Sequence, residues 1–306
     1  MDNFSIQKKD VDLLLKKFSI LEIESALIIG FLKENKIECK KNLLIKKILK
    51  QSNSTSFEIQ KILEEKTFEF SLKNIERFFE LLIPINDRSI NGAFYTPDLI
   101  VKYIVNKLIL DNQTICDPSC GSGAFLVASV EKIFSITSKS VVHILEDNIF
   151  GADILDYNIS RTKIILTLLA LKNGEDVSII KFNLHHGDSL KINWCEIFPK
   201  IFLNYNLGSK NTGFDVVLGN PPYVRIQDLN ENLKTFLSEN YVTVNGGNFN
   251  LYFAFFELGI SLLKIKVKLG YIVPNSFFTS FAAQNLRNWF QEKRFLKEII
   301  DFTHLL

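Results

Sequence analysis

The chain has almost no net charge: 36 Lys and Arg stand against 34 Asp and Glu, giving +2 over 306 residues. A dedicated basic nucleic-acid domain is normally more lopsided. The lysine pairs Lys8-Lys9, Lys16-Lys17, Lys40-Lys41 and Lys46-Lys47 fit the solvated faces of amphipathic helices. Cysteine is scarce, and Cys39, Cys116, Cys120 and Cys195 make no paired CxxC pattern for a metal. A reduced, cytoplasmic setting is expected. No basic-then-apolar leader opens the chain, so no secretion signal is expected. The most apolar stretch, Leu251 to Pro274, is broken by Glu257, Lys264, Lys266 and Lys268. A bilayer span would have to bury those charges. There is no internal repeat.

What is present is 47% hydrophobic residues, enough for one large α/β domain with a smaller attachment. Residues 1–90 show helical spacing without strand-like alternation. Leu13, Leu14, Phe18, Leu21 and Ile23 suit one helix face, and Ile59, Ile62, Leu63 and Phe68 another. Gln51 to Ser56 is a polar break that predicts a loop ending in a helix cap. From Asn91 onward strands and helices alternate. Thr96-Pro97 predicts a helix cap with proline at the first helical position, followed by a helix through Val101, Ile104, Val105 and Leu108. Strands are predicted at Thr114–Cys116, Ile149–Ala152, Lys181–His185, Phe214–Leu218, Gly270–Val273 and Leu296–Phe302. Helices are predicted at Gly123–Ile133, Ile159–Leu171, Asn250–Leu263 and Phe281–Phe290. This alternation predicts a doubly wound, Rossmann-like α/β sheet with ligands at the strand C-terminal ends, preceded by an all-helical extension.

Asp117-Pro118-Ser119-Cys120-Gly121-Ser122-Gly123-Ala124-Phe125 joins a strand to a helix. Its glycines permit close backbone approach, and the helix N-terminus offers unpaired N–H groups. The third glycine of the dinucleotide fingerprint is absent, with Phe125 near its place, and there is no Gly-Lys-Ser/Thr ending. A carboxylate before the loop would repel phosphate but pair with an ammonium. Asp153, in Gly151-Ala152-Asp153-Ile154, ends the next strand, where a carboxylate can take ribose hydroxyls. Asp188, in Gly187-Asp188-Ser189-Leu190, follows another and can accept from an adenine amino group. Each acid could instead cap its following helix.

Phe214 to Leu218 reads as a buried strand running into Gly219-Asn220-Pro221-Pro222-Tyr223. An exocyclic amino group is a poor nucleophile because its lone pair is delocalised into the ring. Fixed acceptors for both of its N–H groups favour a pyramidal nitrogen. Asn220 offers a side-chain oxygen and Pro221 a carbonyl. The prolines restrict the backbone around the turn, and Tyr223 can stack on an extruded base. No metal is implied.

Together these motifs resemble the amino-group methyltransferases that use S-adenosylmethionine, most closely the N6-adenine DNA methyltransferases of restriction-modification type. The resemblance implies that Asp117, Asp153 and Asp188 hold the ammonium, ribose and adenine of the cofactor. It implies that Asn91-Gly92-Ala93-Phe94-Tyr95-Thr96-Pro97 lines the methionine end and that Ile154 packs on the adenine face. Pro118, Gly121, Gly123 and Phe125 belong to the same cofactor-binding motif, and Asn220, Pro221, Pro222 and Tyr223 to the catalytic one. Tyr252 and Asn275 are further candidates for the base pocket, or for packing. Asn-Pro-Pro-Tyr also occurs in enzymes that methylate a release-factor glutamine. The Tyr-Thr-Pro motif ahead of the glycine loop, and the long Val224 to Phe249 segment, favour DNA adenine. DNA is the expected substrate, with a non-catalytic cofactor- or partner-binding subunit as the alternative.

Residues 1–90 are then a helical extension and 91–306 the catalytic domain. The resemblance further implies a strand pair and a target-recognition domain beyond the present end. The expectation is therefore a fragment, or one half of a split enzyme whose partner subunit or downstream domain supplies recognition. Glu64-Glu65-Lys66 has nuclease-like spacing but lies in a helical pattern, so packing or docking is the expected role of the extension.

Overall fold

The computed structural model describes residues 4–51, 54–90, 92, 95–203, 212–245 and 248–302. The first part is helical: α1 (Lys8–Leu15), α2 (Ile20–Glu34), α3 (Leu43–Gln51), α4 (Ser54–Glu65), α5 (Leu72–Leu81) and α6 (Ile85–Ile90). The apolar set from Leu13 to Ile23 does not form one helix face, since Leu13 and Leu21 are exposed. Ser19 breaks it with a capping box, its Oγ accepting from Glu22 N while the Glu22 carboxylate takes Ser19 N. Of the polar break before α4, Ser52 and Asn53 lie outside the described residues.

The α/β part follows as α7 (Asp98–Leu108), β1 (Ile115–Asp117), α8 (Ala124–Ile136), α9 (Val141–Asp147), β2 (Ile149–Asp153), α10 (Asp156–Lys172), β3 (Asn183–His186), α11 (Trp194–Ile197), β4 (Phe214–Gly219), α12 (Glu231–Asn240), α13 (Tyr252–Ser261), β5 (Leu263–Tyr271) and α14 (Gln284–Lys293). The strands form one parallel sheet in the order β3-β2-β1-β4-β5. β1 and β2 are buried at every position, as expected of strands covered on both faces.

Alternation along the strands divides the apolar side chains between two cores. Ile115, Val216 and Leu218 face a core shared with α7, α8, α10 and the helices before residue 90. Cys116 and Val217 face a second core with α13 and α14, and Phe214 joins them because the strand is irregular between Phe214 and Val216. There Phe214 is ringed by Phe150, Phe198 and Phe202 at centroid distances of 5.2, 6.2 and 5.7 Å.

The helical extension is continuous with the first core. Asp176 accepts the N–H groups of Lys40, Lys41 and Asn42 at 2.7–2.9 Å. Arg161, buried in α10, bonds Glu24 of α2 at 2.8 Å and reaches the Phe79 carbonyl.

Three expectations need correction. Pro97, not Thr96, occupies the N-cap of α7 and makes no side-chain cap bond; the Thr96 hydroxyl is used elsewhere. β5 begins already at Leu263, with an irregular register against β4 between Phe214 and Val216. The strand expected over Leu296–Phe302 does not form. Among the described residues nothing pairs with the outer edge of β5, and a strand needs a neighbouring ladder. The segment lies along α7 instead, with Glu298 paired to Lys107 and Phe302 edge-on to Tyr103 at 5.7 Å.

Candidate active site

The strand order reverses between β1 and β4, which are direct neighbours (Ile115↔Val216, Cys116↔Val217). In doubly wound sheets ligands bind where that reversal opens a crevice at the carboxyl ends. Asp117 ends β1 and Gly219-Asn220 ends β4, so the two singled-out motifs meet there. A cavity of about 460 Å³ occupies this crevice.

Asp117 is 1% exposed. Burial raises its carboxyl to about 8, against the opposing bond from Ser119 N at 3.0 Å. Asp153, also buried, accepts from Gly121 N at 2.9 Å, Leu155 N at 2.9 Å and Asn158 Nδ2 at 3.0 Å. It thereby pins the glycine loop to the end of β2. Burial pushes its pKa up, and these three donors oppose the rise. Gly121 has φ +54, and a Cβ there would meet nothing within 4 Å. Gly123 has φ +96, and a Cβ there would stand 3.0 Å from Thr162 of α10. Gly123 therefore serves helix packing and does not line the cavity. Asp188 accepts from Leu190 N at 3.1 Å and pairs with Lys191 at 3.3 Å. Ile154 is 48% exposed on the cavity wall, and Phe125 is buried against it.

The Gly219–Tyr223 turn is tied to its surroundings at several points. Gly219 has φ +149, and a Cβ there would fall 2.5 Å from Asp117 Oδ1. Ser119 Oγ donates to the Asn220 carbonyl at 3.2 Å. Asn220 Nδ2 donates to Thr96 Oγ1 at 3.0 Å. Tyr223 OH donates to the Ile272 carbonyl at 2.8 Å, and its ring meets Tyr252 edge-on at 5.9 Å.

Tyr95, Thr96, Asp117, Pro118, Gly121, Phe125, Asp153, Ile154, Asp188, Asn220 and Pro222 all line the cavity, while Gly123, Pro221 and Tyr223 do not. Pro221 is buried and Tyr223 half-buried beside it. Asn91, Ala93 and Phe94 lie outside the described residues; Gly92 contacts the turn, its carbonyl accepting Tyr223 N at 3.3 Å. Tyr252 packs on Tyr223, and neither Tyr252 nor Asn275 lines the cavity.

Several lining residues escaped sequence reasoning. Arg77, Glu80, Leu81 and Arg88 come from α5 and α6, so the extension forms one wall. Nothing in its helical pattern distinguishes these positions from solvated ones. Leu229, Asn230 and Leu233, from the segment after the turn, form another part of the wall. Ser119 was visible inside the glycine-loop motif but carried no assigned role. Among the described residues no cluster of His, Cys, Asp and Glu could hold a metal, and no helix is long and apolar enough to cross a membrane.

The five-stranded order and the crevice at its reversal are those of the class I S-adenosylmethionine-dependent methyltransferase fold. A putative enzyme of that class from Listeria monocytogenes superposes with a TM-score of 0.50 at 18% identity, over 89% of this chain and 79% of that one. The type IIG restriction endonuclease BpuSI superposes with a TM-score of 0.59 at 16% identity, over 89% of this chain and 33% of that one. At these identities the likeness is one of fold.

The model of the Eco57I restriction-modification methylase family matches residues 147–305, just over half of the chain, and the chain belongs to that family. The type II restriction enzyme and methyltransferase RM.Eco57I of Escherichia coli is 27% identical over 255 residues, covering 68% of this chain and 25% of that protein. The type II methyltransferase M.BstVI of Geobacillus stearothermophilus is 27% identical over 224 residues, covering 69% of this chain and 38% of that protein. The chain thus spans a quarter of the first relative and under two fifths of the second.

Proposed function

We propose that this chain transfers a methyl group from S-adenosylmethionine to the N6 amino group of adenine in DNA, as the modification activity of a restriction-modification system. One observation carries the reading: the carboxyl of Asp117 and the carboxamide of Asn220 flank one cavity, joined through Gly219 and Ser119. A cationic amino-acid nucleoside suits the acid and the polar groups lining the cavity. Asp117 is a buried acid with an ammonium-sized role. Ser122 Oγ and Asn158 Oδ1, in cavity-lining residues, are buried with no hydrogen-bond partner among the described residues. Groups of that kind favour a polar ligand, because leaving them unsatisfied is costly.

The bound cofactor supplies an electrophilic methyl on a sulfonium. Asp117 holds the ammonium, Asp153 the ribose and Asp188 the adenine amino group, with Ile154 against the adenine face. With its NH₂ end donated to Thr96, the Asn220 amide presents Oδ1 as the acceptor for one amino proton, and the Pro221 carbonyl takes the other. The Asn220 amide is held by Thr96 before the reaction starts, so little reorganisation is needed there as charge develops on nitrogen. Tyr223 stacks on the extruded base, its ring plane fixed through Ile272. DNA and a subunit or domain that recognises the target are the partners this reading requires.

The test is transfer of labelled methyl to duplexes with and without adenine, and to a glutamine-bearing release-factor peptide. Transfer to adenine, lost in Asn220→Ala with cofactor affinity kept, is the expected result. Transfer to the peptide alone would move the assignment to glutamine. Cofactor binding without transfer to either would favour a binding-only subunit.

A further inference from the structure

The reading above leaves one group of the cofactor without a partner: the α-carboxylate of its methionine end. That carboxylate shares a carbon with the ammonium, so its partner must stand beside Asp117 and the catalytic turn. Three basic side chains line the cavity among the described residues: Arg77, Arg88 and Lys191. Lys191 pairs with Asp188 at 3.3 Å, which places it at the proposed adenine end. Arg88 donates to the Glu80 carbonyl, and its neighbour Asp87 accepts from Tyr157 OH at 2.9 Å. Tyr157 opens the helix after Asp153, so Arg88 stands toward the ribose side. Arg77 is placed differently. Its guanidinium lies 5.0 Å from the centre of the Tyr95 ring and 4.3 Å from that of Phe4. Tyr95 precedes Thr96, whose hydroxyl holds Asn220. Arg77 thus stacks beside the residue next to Thr96, at the end of the cavity where Asn220 lies.

We infer that Arg77, from the helical extension, is the residue that binds the α-carboxylate of the methionine moiety, so that the extension completes the cofactor site. This rests on the cofactor orientation proposed above. Arginine suits the task because its planar fork matches a carboxylate with two parallel hydrogen bonds. The Tyr95 and Phe4 rings hold its plane by cation–π contact. Without such a cation the carboxylate would face Asp117 and Glu80, and like charges at close range disfavour each other.

The experiment is calorimetric titration of the full chain with three ligands: S-adenosylmethionine, its decarboxylated analogue, and methylthioadenosine, which lacks the amino-acid end. Wild type is expected to prefer S-adenosylmethionine over the decarboxylated analogue by about tenfold or more, the value of one charge-assisted contact. Arg77→Gln is expected to lose that preference while keeping its affinity for methylthioadenosine, which also shows that it is folded. Arg77→Lys is expected to recover part of the preference, since it keeps the charge but not the fork. A wild type that binds both adenosyl amino-acid ligands equally, or an Arg77→Gln variant that keeps the wild-type preference, would overturn this inference alone. A wild type that binds none of the three would overturn the proposed function with it.

Discussion

The carboxamide nitrogen of Asn220 donates to Thr96 Oγ1 at 3.0 Å, across 124 residues of chain. This bond sets the amide so that its oxygen is the acceptor end. It also explains why Thr96 does not cap α7. The helix start has lost a possible cap, and the Asn-Pro-Pro-Tyr turn has gained a fixed orientation.

Thr96→Val keeps the volume and removes the acceptor. The amide can then rotate, and methyl transfer is expected to slow by about tenfold, the equivalent of one ordinary hydrogen bond. Thr96→Ser is expected to behave like wild type. Single-turnover transfer of labelled methyl measures this, and an unchanged rate in Thr96→Val would remove the orienting role.

With Asp117 as the proposed partner of the cofactor's ammonium, cofactor binding is expected to depend on pH. Burial lifts its carboxyl to about 8, so it carries a proton at neutral pH, whereas an ammonium partner selects the ionised form. Binding should therefore release about one proton near pH 6.5 and almost none above pH 9.5. Calorimetry in buffers of different ionisation enthalpy reads this directly, and Asp117→Asn should abolish it. Stability of the protein alone follows the same shift. The folded value lies above the ordinary 3.8, so the contribution is complete below about pH 4 and is lost as pH rises through 8. The slope is at most about 1.4 kcal/mol per pH unit. A wild type and an Asp117→Asn variant with the same pH slope would contradict the assignment.

Gly219→Ala places a Cβ 2.5 Å from the Asp117 carboxylate, at a φ of +149 that side-chain-bearing residues rarely adopt. The backbone strain alone is expected to cost about 1–3 kcal/mol. Asp117 must also shift, so cofactor binding should weaken together with stability. Thermal unfolding with and without cofactor checks both; a variant as stable and as tightly binding as wild type would mean that the contact is not tight.

Arg161 and Glu24 join α10 to the helical extension at 2.8 Å, with the arginine buried. Arg161→Ala leaves Glu24 and the Phe79 carbonyl without this donor and is expected to destabilise the protein by about 3–5 kcal/mol. Because the extension walls the cavity, cofactor affinity should fall too. Denaturant unfolding followed by both far-UV signal and cofactor release would show one coincident transition. Two separated transitions would mean that the extension unfolds independently of the site.

The local motifs were legible because their residue types are forced by chemistry. An acid before a glycine loop, acids at successive strand ends, and an amide followed by two prolines each restrict the backbone or the charge in ways few other sequences do. Their meeting followed from strand–helix alternation, which places strand ends on one side of a sheet. The individual contacts were less legible. Thr96 reads as a helix cap by local preference, yet a partner distant in the chain takes its hydroxyl. Tyr223 reads as a stacking ring, and nothing in the motif shows that its hydroxyl is anchored on Ile272. Arg77 sits in an ordinary amphipathic pattern, and only the packing of α5 against α10 and α2 turns it toward the cavity. The strand expected at Leu296–Phe302 had the apolar content of one but not the neighbour, and β-structure depends on pairing as much as on composition.

The order of residues determined, without help, the α/β class, the glycine loop, the three acids and the Asn-Pro-Pro-Tyr turn, because backbone preference and side-chain chemistry act locally. Tertiary structure alone decided that β1 and β4 are neighbours, that Gly219 rests on Asp117, and that α5 and α6 form a wall of the cavity. Those facts depend on which apolar faces bury one another across long stretches of chain, and no local pattern encodes that choice.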